Sequence, residues 1–324
     1  MKIAIDRGRV GALRGFLEAG MSPSLMTPNR LPLLSEALMY QRVDAAKLLL
    51  EYGADPCGGC WYWCTTPLHY AVRYTGPSNC MIEPLLNAGA KAEGIELWRW
   101  LFDHQNPAKH LEQALANGSN FKRIRTDYGD LSVLYALSAS NVDLLTVCLG
   151  DMILEKWPEL LNSCDDRYGT VLKYVLASPI EPRNAIYFLD RGIDLRGGEL
   201  QDAIDLRRGH EIHGWKANPA RIRETDSIRR TIIVKLLAHP QVDLNTASMS
   251  YSGKVEKPLI AAFVRADIET ARMILEHPAF QPDAEDICVM TDKLSRERPN
   301  GANYERQIQG EVLKMTARRL AMNF

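Results

Sequence analysis

Three clusters in this sequence have residue types and spacings that chemistry requires. The segment Cys57-Gly58-Gly59-Cys60-Trp61-Tyr62-Trp63-Cys64 sets two thiols at the spacing with which one tight turn grips a zinc ion. Cys64, Cys80 or His69 would complete four ligands, but no second Cys pair follows, and no metal site is assigned. Asp103-His104 places a carboxylate next to an imidazole, the pairing of general acid/base catalysis. Neighbouring residues on a helix point about 100° apart, however, so this carboxylate is poorly placed to orient its own neighbour. His210-Glu211-Ile212-His213-Gly214-Trp215-Lys216 gathers two imidazoles and a carboxylate. Its histidines are three apart, which is not the His-Glu-x-x-His zinc-protease spacing. Arg207, Arg208, Arg221, Arg223, Arg229 and Arg230 surround it against Glu211, Glu224 and Asp226, a positive patch suited to an acidic protein surface or a phosphate. No Gly-rich phosphate loop, Gly-x-Ser-x-Gly elbow or Cys/His nucleophile pair stands out, and no catalytic residue or cofactor is assigned.

Composition sets the wider bounds. The 324 residues carry 39 Lys+Arg against 40 Asp+Glu, a formal charge of -1, with 46% hydrophobic residues, the balance of an ordinary globular chain. Nothing in that balance drives binding to nucleic acid or to an anionic membrane. The start, Met1 to Arg7, turns charged too early for a secretory apolar core, and no apolar run approaches the ~20 residues of a membrane span. The expectation is a cytoplasmic or nuclear chain, not secreted, whose seven Cys form no disulfide framework.

The elements that must position these residues come from an internal repeat. Thr66-Pro67-Leu68-His69-Tyr70-Ala71-Val72 is followed and preceded by amphipathic segments that close in glycine. Val43-Asp44-Ala45-Ala46-Lys47-Leu48-Leu49-Leu50-Glu51-Tyr52-Gly53-Ala54-Asp55 is the fullest of these. Turn glycines fall at Gly20, Gly53, Gly89, Gly118 and Gly192, with His239-Pro240 and His277-Pro278 in the same slot further on. Counting back from each turn lands on Ala4, Ala37, Ala71, Phe102, Ala136, Val175, Ala203 and Ala262, where two first helices must pack closely. Thr66 suits a helix N-cap, and Pro67 and Pro258 suit first helical turns.

This pattern resembles the ankyrin repeat, whose Thr-Pro-Leu-His-x-Ala signature and ~33-residue period it shares. The resemblance covers residues 1–282 and implies an all-α ankyrin-repeat solenoid of about eight helix-turn-helix units with β-turn fingers. An insertion near 207–227 interrupts unit seven, and residues 283–324 read as a C-terminal helical cap. Arg7, Arg9 and Arg14 suit the polar outer face of a first, capping repeat. On this reading the Cys57–Cys64 stretch is a finger, too short to wrap a metal.

As a family, ankyrin arrays are protein-binding scaffolds whose fingers and first helices line a concave groove. The implied function is recognition of a partner protein of unknown identity, without nucleic acid or membrane. Trp61, Tyr62 and Trp63 on a finger, Tyr70 and Tyr74 on the first helix of that unit, and Trp98 and Trp100 on the next make an aromatic wall. Arg123, Arg125 and Tyr128, with Lys122, form a basic finger tip. The alternative is an ankyrin scaffold turned enzyme, an isomerase or cyclase. It would bind an apolar small molecule in the aromatic groove and move protons through His104, Asp103, His210, Glu211 or His213.

Overall fold

The computed structural model describes residues 1–59, 66–74, 81–92, 107–120, 122–126, 129–138, 149–177, 182–206, 219–250, 253–296 and 303–322. The chain divides into two compact units, Met1–Ala136 with Val142–Pro158, and Leu137–Asn141 with Glu159–Phe324. Both are all-α stacks of short helical pairs with two-stranded hairpins, the architecture of an ankyrin-repeat solenoid.

The first unit runs α1 (Lys2–Asp6), α2 (Val10–Glu18), α3 (Leu33–Met39), α4 (Val43–Glu51), α5 (Pro67–Tyr74), α6 (Ile82–Asn87) and α7 (Pro107–Ala116). It continues through the hairpin β1 (Arg123–Thr126) and β2 (Gly129–Ser132) to α8 (Val133–Ser138) and α9 (Gly150–Lys156). First helices pack on first helices, α1 on α3 and α3 on α5, and second helices on second helices, α2 on α4 and α4 on α6. The small residues make this approach possible: Ala4, Ala37 and Ala71 are buried at the contacts. The leucine triplet closes the other side, since Leu48 and Leu49 are buried, each contributing about 2 kcal/mol relative to exposure. Phe102 and the Ala136 side chain lie outside the described residues.

Each turn glycine ends its helix left-handed, with φ from +71° at Gly192 to +94° at Gly89. The bonds are those of a Schellman turn: Gly53 N–H reaches Leu50 O and Ala54 N–H reaches Leu49 O, both at 2.9 Å. Backbone groups beyond the turn are satisfied by the neighbouring repeat. Ser24 Oγ accepts from Asp55 N–H at 3.0 Å, and Asn117 Nδ2 donates to Leu86 O at 2.8 Å and to Ala90 O at 2.9 Å.

The second unit runs β3 (Cys164–Asp165), β4 (Gly169–Thr170), α10 (Val171–Ala177), α11 (Arg183–Asp190), α12 (Glu199–Asp205) and α13 (Pro219–Leu237). It ends with β5 (Ser248–Met249), β6 (Val255–Glu256), α14 (Pro258–Val264), α15 (Ile268–Glu276), α16 (Ala284–Arg296) and α17 (Asn303–Ala321). Val175, Ala203 and Ala262 are buried between α10, α12 and α14. The last helix packs on α14, α15 and α16, with Val312 and Thr316 buried against them.

The structure differs from expectation at one place here, and it shows how the His-Pro turns are made. Residues 219–227, expected as loop, form the first turns of α13. The two His-Pro turns end their helices without a left-handed residue, because proline bars the helical conformation from the residue before it. His277 is extended, with ψ 134°, and its Nδ1 accepts from Ala279 N–H at 3.2 Å, as His239 Nδ1 does from Gln241 N–H at 3.2 Å. His277 Nε2 then meets Leu237 O of the previous repeat at 3.0 Å.

Asp267 couples local structure to packing. It caps α15 by accepting from Thr270 N–H at 3.2 Å and holds the buried Arg229 of α13 at 2.6 Å. Burial opposes the Asp267 charge, but the Arg229 guanidinium and the Thr270 hydrogen bonds outweigh it and lower its pKa below the ordinary carboxylate value. A depressed folded pKa gives stability that is present above the unfolded value, about 3.9, and is lost as pH falls through the folded one. Asp267→Asn is therefore expected to cost about 3 kcal/mol at neutral pH, with a difference from wild type that narrows below about pH 4. Urea unfolding at both pH values checks this, and a pH-independent difference would contradict it.

Candidate partner-binding surface

The first-helix face of the first unit is built from residues one repeat apart. On α5, Thr66 Oγ1 accepts from His69 N–H at 3.4 Å and starts the helix, while Leu68 and Ala71 face the core. Helical spacing then puts Tyr70 and Tyr74 together on another side. Their rings stack at 6.0 Å with 14° between planes, and the Arg73 guanidinium lies 5.7 Å from the Tyr74 ring. His69 meets the Tyr70 ring edge-on at 6.0 Å.

The 34-residue interval that separates Lys2 from Glu36 also separates Glu36 from Tyr70, Asp6 from Tyr40, and Tyr40 from Tyr74. Two rows therefore cross α1, α3 and α5: Lys2, Glu36, Tyr70, and Asp6, Tyr40, Tyr74. Tyr40 is 46% exposed and Tyr74 36%, so both rings face solvent, Tyr40 from the C-cap of α3 and Tyr74 from the end of α5. Lys2 pairs with the buried Glu36 and stands 5.7 Å from the Tyr40 ring. The hydrogen bond to Glu36 raises the Lys2 pKa above its usual value, against a small loss from burial.

Of the sequence-based binding residues, the structure brings Tyr70 and Tyr74 together. Trp61, Tyr62, Trp63, Trp98, Trp100 and Tyr128 lie outside the described residues, as do Asp103, His104, His210, Glu211 and His213. Arg123 and Arg125 stand on β1, opposite Ser132 and Asp130, within the hairpin strand rather than at its tip. Tyr40 was missed, although stepping back one repeat from Tyr74 finds it.

The cysteines separate in the same way. Cys60, Cys64 and Cys80 lie outside the described residues, while Cys57 is half-buried and its thiol donates to Gly89 O at 3.5 Å. Among the described residues no group of three His, Cys, Asp or Glu is arranged to hold a metal. Of the basic patch expected around residue 210, Arg207, Arg208 and residues 210–216 lie outside the described residues. Arg229 is buried against Asp267, and Arg230 pairs with Glu269 at 2.9 Å.

Some of the second helices are joined by the chain's own ion pairs. In the first unit Lys109 of α7 meets Glu83 of α6 at 2.5 Å. In the second, Arg183 pairs with Glu224, Lys235 with Asp190, and Arg230 with Glu269, joining α11, α13 and α15. Such exposed pairs add little stability, on the order of 0–1 kcal/mol each, but they engage the charges they join.

Residues 34–81 match the family model of ankyrin repeats in many copies. Over 92 residues the chain is 33% identical to an ankyrin repeat protein of fowlpox virus (strain NVSL), a stretch that is 28% of this chain and 21% of the viral one. The chain thus matches about a fifth of that relative's length. The human ASB11 ankyrin repeat domain aligns over 72% of this chain and 96% of its own, at 23% identity and a TM-score of 0.42. An ankyrin repeat protein from Leishmania major aligns over 99% of this chain and 97% of its own, at 14% identity and a TM-score of 0.34. No helix of the described residues is long and apolar enough to cross a membrane. Ankyrin repeats in general bind protein partners.

Proposed function

We propose that this chain, an ankyrin-repeat protein, is a recognition scaffold that holds a partner protein against its first-helix and finger surface. One observation carries the reading. Tyr40, at the C-cap of α3, and Tyr70 and Tyr74, on α5, stand at the first helices of adjacent repeats, with Tyr40 and Tyr74 at least 36% exposed. Tyrosine is a frequent interface anchor because it buries a large rigid ring at small entropic cost and keeps a polar tip. Trp61, Tyr62, Trp63, Trp98 and Trp100, with Arg123, Arg125 and Tyr128, belong to the same proposed surface.

The test is quantitative affinity purification with wild type and with Tyr40→Ala/Tyr74→Ala. Truncating two anchors is expected to lower recovery of at least one partner about tenfold or more, since hot-spot losses exceed about 1.4 kcal/mol. Both side chains are exposed, so the fold should be unaffected. Identical recovery would remove the tyrosine face from the reading.

A further inference from the structure

We infer that the turn joining α1 to α2 and the turn joining α3 to α4 form a three-arginine clamp for an acidic segment of a partner protein. The inference rests on the scaffold reading and names the chemistry of one end of its surface. Arg7 and Arg9 flank Gly8, whose φ of +63° makes the turn. Arg42, one repeat later, folds back onto the same glycine. A side chain begun at Gly8 would stand 3.9 Å from Arg42 Nη1, and Nη2 donates to Asp6 O at 2.8 Å. The Arg42 guanidinium thereby lies against the residue that Arg7 and Arg9 flank in the chain, and all three residues are permanently charged.

None of them is engaged in an ion pair among the described residues, unlike the cations that join second helices, and all three are exposed. Arg9 and Arg42 also occupy the N-caps of α2 and α4, where the helix field repels a cation and neither supplies a capping oxygen. The fold uses Arg42 at the C-terminus of α1, through its bond to Asp6 O, and a bound carboxylate would relieve the repulsion that remains and accept forked hydrogen bonds.

The surroundings select the ligand. Asp6 and Asp44 flank the arginines and Tyr40 adjoins them at the end of α3. A continuous polyanion such as nucleic acid or a lipid surface would meet these carboxylates as well as the cations. A short acidic peptide can place carboxylates on the arginines and an apolar side chain on the Tyr40 ring, so its charge is matched point by point.

The probe is a fluorescein-labelled oligoglutamate peptide, titrated into the full chain by anisotropy at low and physiological salt. Oligolysine, duplex DNA and phosphatidylserine vesicles serve as competing ligands. Oligoglutamate is expected to bind, about threefold more weakly for Arg7→Gln or Arg9→Gln and about tenfold for both together, with a reduced salt dependence. Arg30→Gln, at the opposite end of α3 from Tyr40, should bind as wild type does. The thermal midpoint of the double variant should be unchanged or raised. No binding of oligoglutamate, equal binding by the double variant, stronger binding of DNA or vesicles, or a lowered midpoint would each overturn the clamp. Tyrosine-dependent partner recovery without oligoglutamate binding would remove the clamp and leave the scaffold standing.

Discussion

Replacing Gly198 by alanine is expected to destabilise the second unit by about 4 kcal/mol. Gly198 has φ +90° and ψ -14°, outside the compact left-handed region that an L-residue can enter, and it immediately precedes α12. A Cβ there would sit 2.3 Å from Met249 O and 3.0 Å from Lys173 Nζ. The first is backbone of β5, paired to β6 through Met249 and Val255, so relief requires moving a hairpin rather than a rotamer. Lys173 also donates to Met249 O at 3.2 Å, so the displaced group takes a tertiary hydrogen bond with it. The neighbouring glycine is the control. Gly197 has φ +91°, but its Cβ would meet Ser248 Oγ at 3.1 Å, a side-chain atom that can turn away. Gly197→Ala should therefore cost about half as much. Urea unfolding of the two variants measures the difference, and equal midpoints would show that the Met249 contact is not what forbids a side chain at Gly198.

Arg265→Ala is the second large effect, expected at about 3 kcal/mol. The Arg265 side chain is 6% exposed and lies between Asp205 at the end of α12 and Glu256 of β6. Its Nη2 donates to Asp205 Oδ2 and its Nη1 to Glu256 Oε1, both at 2.5 Å, and Nη1 also reaches Ala261 O at 3.1 Å. Burial disfavours the charge, yet these hydrogen bonds outweigh it and raise the Arg265 pKa above its usual value. Removing the guanidinium leaves two partly buried carboxylates facing each other, which is the larger share of the cost. Two consequences separate this from lost packing. Arg265→Lys, which cannot fork, should fall between wild type and alanine. Arg265→Met with Asp205→Leu and Glu256→Leu should recover most of the loss, since no charge is then stranded. A triple variant as unstable as Arg265→Ala would mean that the side chain's packing, not the ion network, holds the hairpin to the helix.

Much of the fold was legible from particular residues. Ala37, Ala71, Ala203 and Ala262 announce close helix packing, and Gly20, Gly53, Gly89, Gly118 and Gly192 announce the turns; the alanines are buried and the glycines carry positive φ. The glycines act within one repeat and the alanines between the first helices of adjacent repeats, where the lack of a Cβ and small size have direct steric consequences. The start of α13 was less legible. Residues 219–227 are rich in charge, and Ala220 and Ile222 alone are too few to mark a helical face; a tertiary partner, Arg183 for Glu224, exists only once the repeats pack. Tyr70 and Tyr74 were found as surface aromatics because helical spacing places them together, whereas Tyr40 needed the repeat register to be applied to polar positions as well.

By itself, then, the sequence determined the repeat: its period, its small-residue contacts and its turns, all of which follow from patterns that recur about once per repeat and act locally. Tertiary structure alone decided what each charge does. Arg229 and Arg265 are buried in ion pairs with carboxylates 38 and 60 residues away, Arg42 lies on a turn 36 residues back, and Arg7 and Arg9 meet no carboxylate among the described residues. All five are the same residue type, and no periodicity distinguishes them. A partner across the stack is chosen by side-chain reach and burial, which exist only once the repeats have packed.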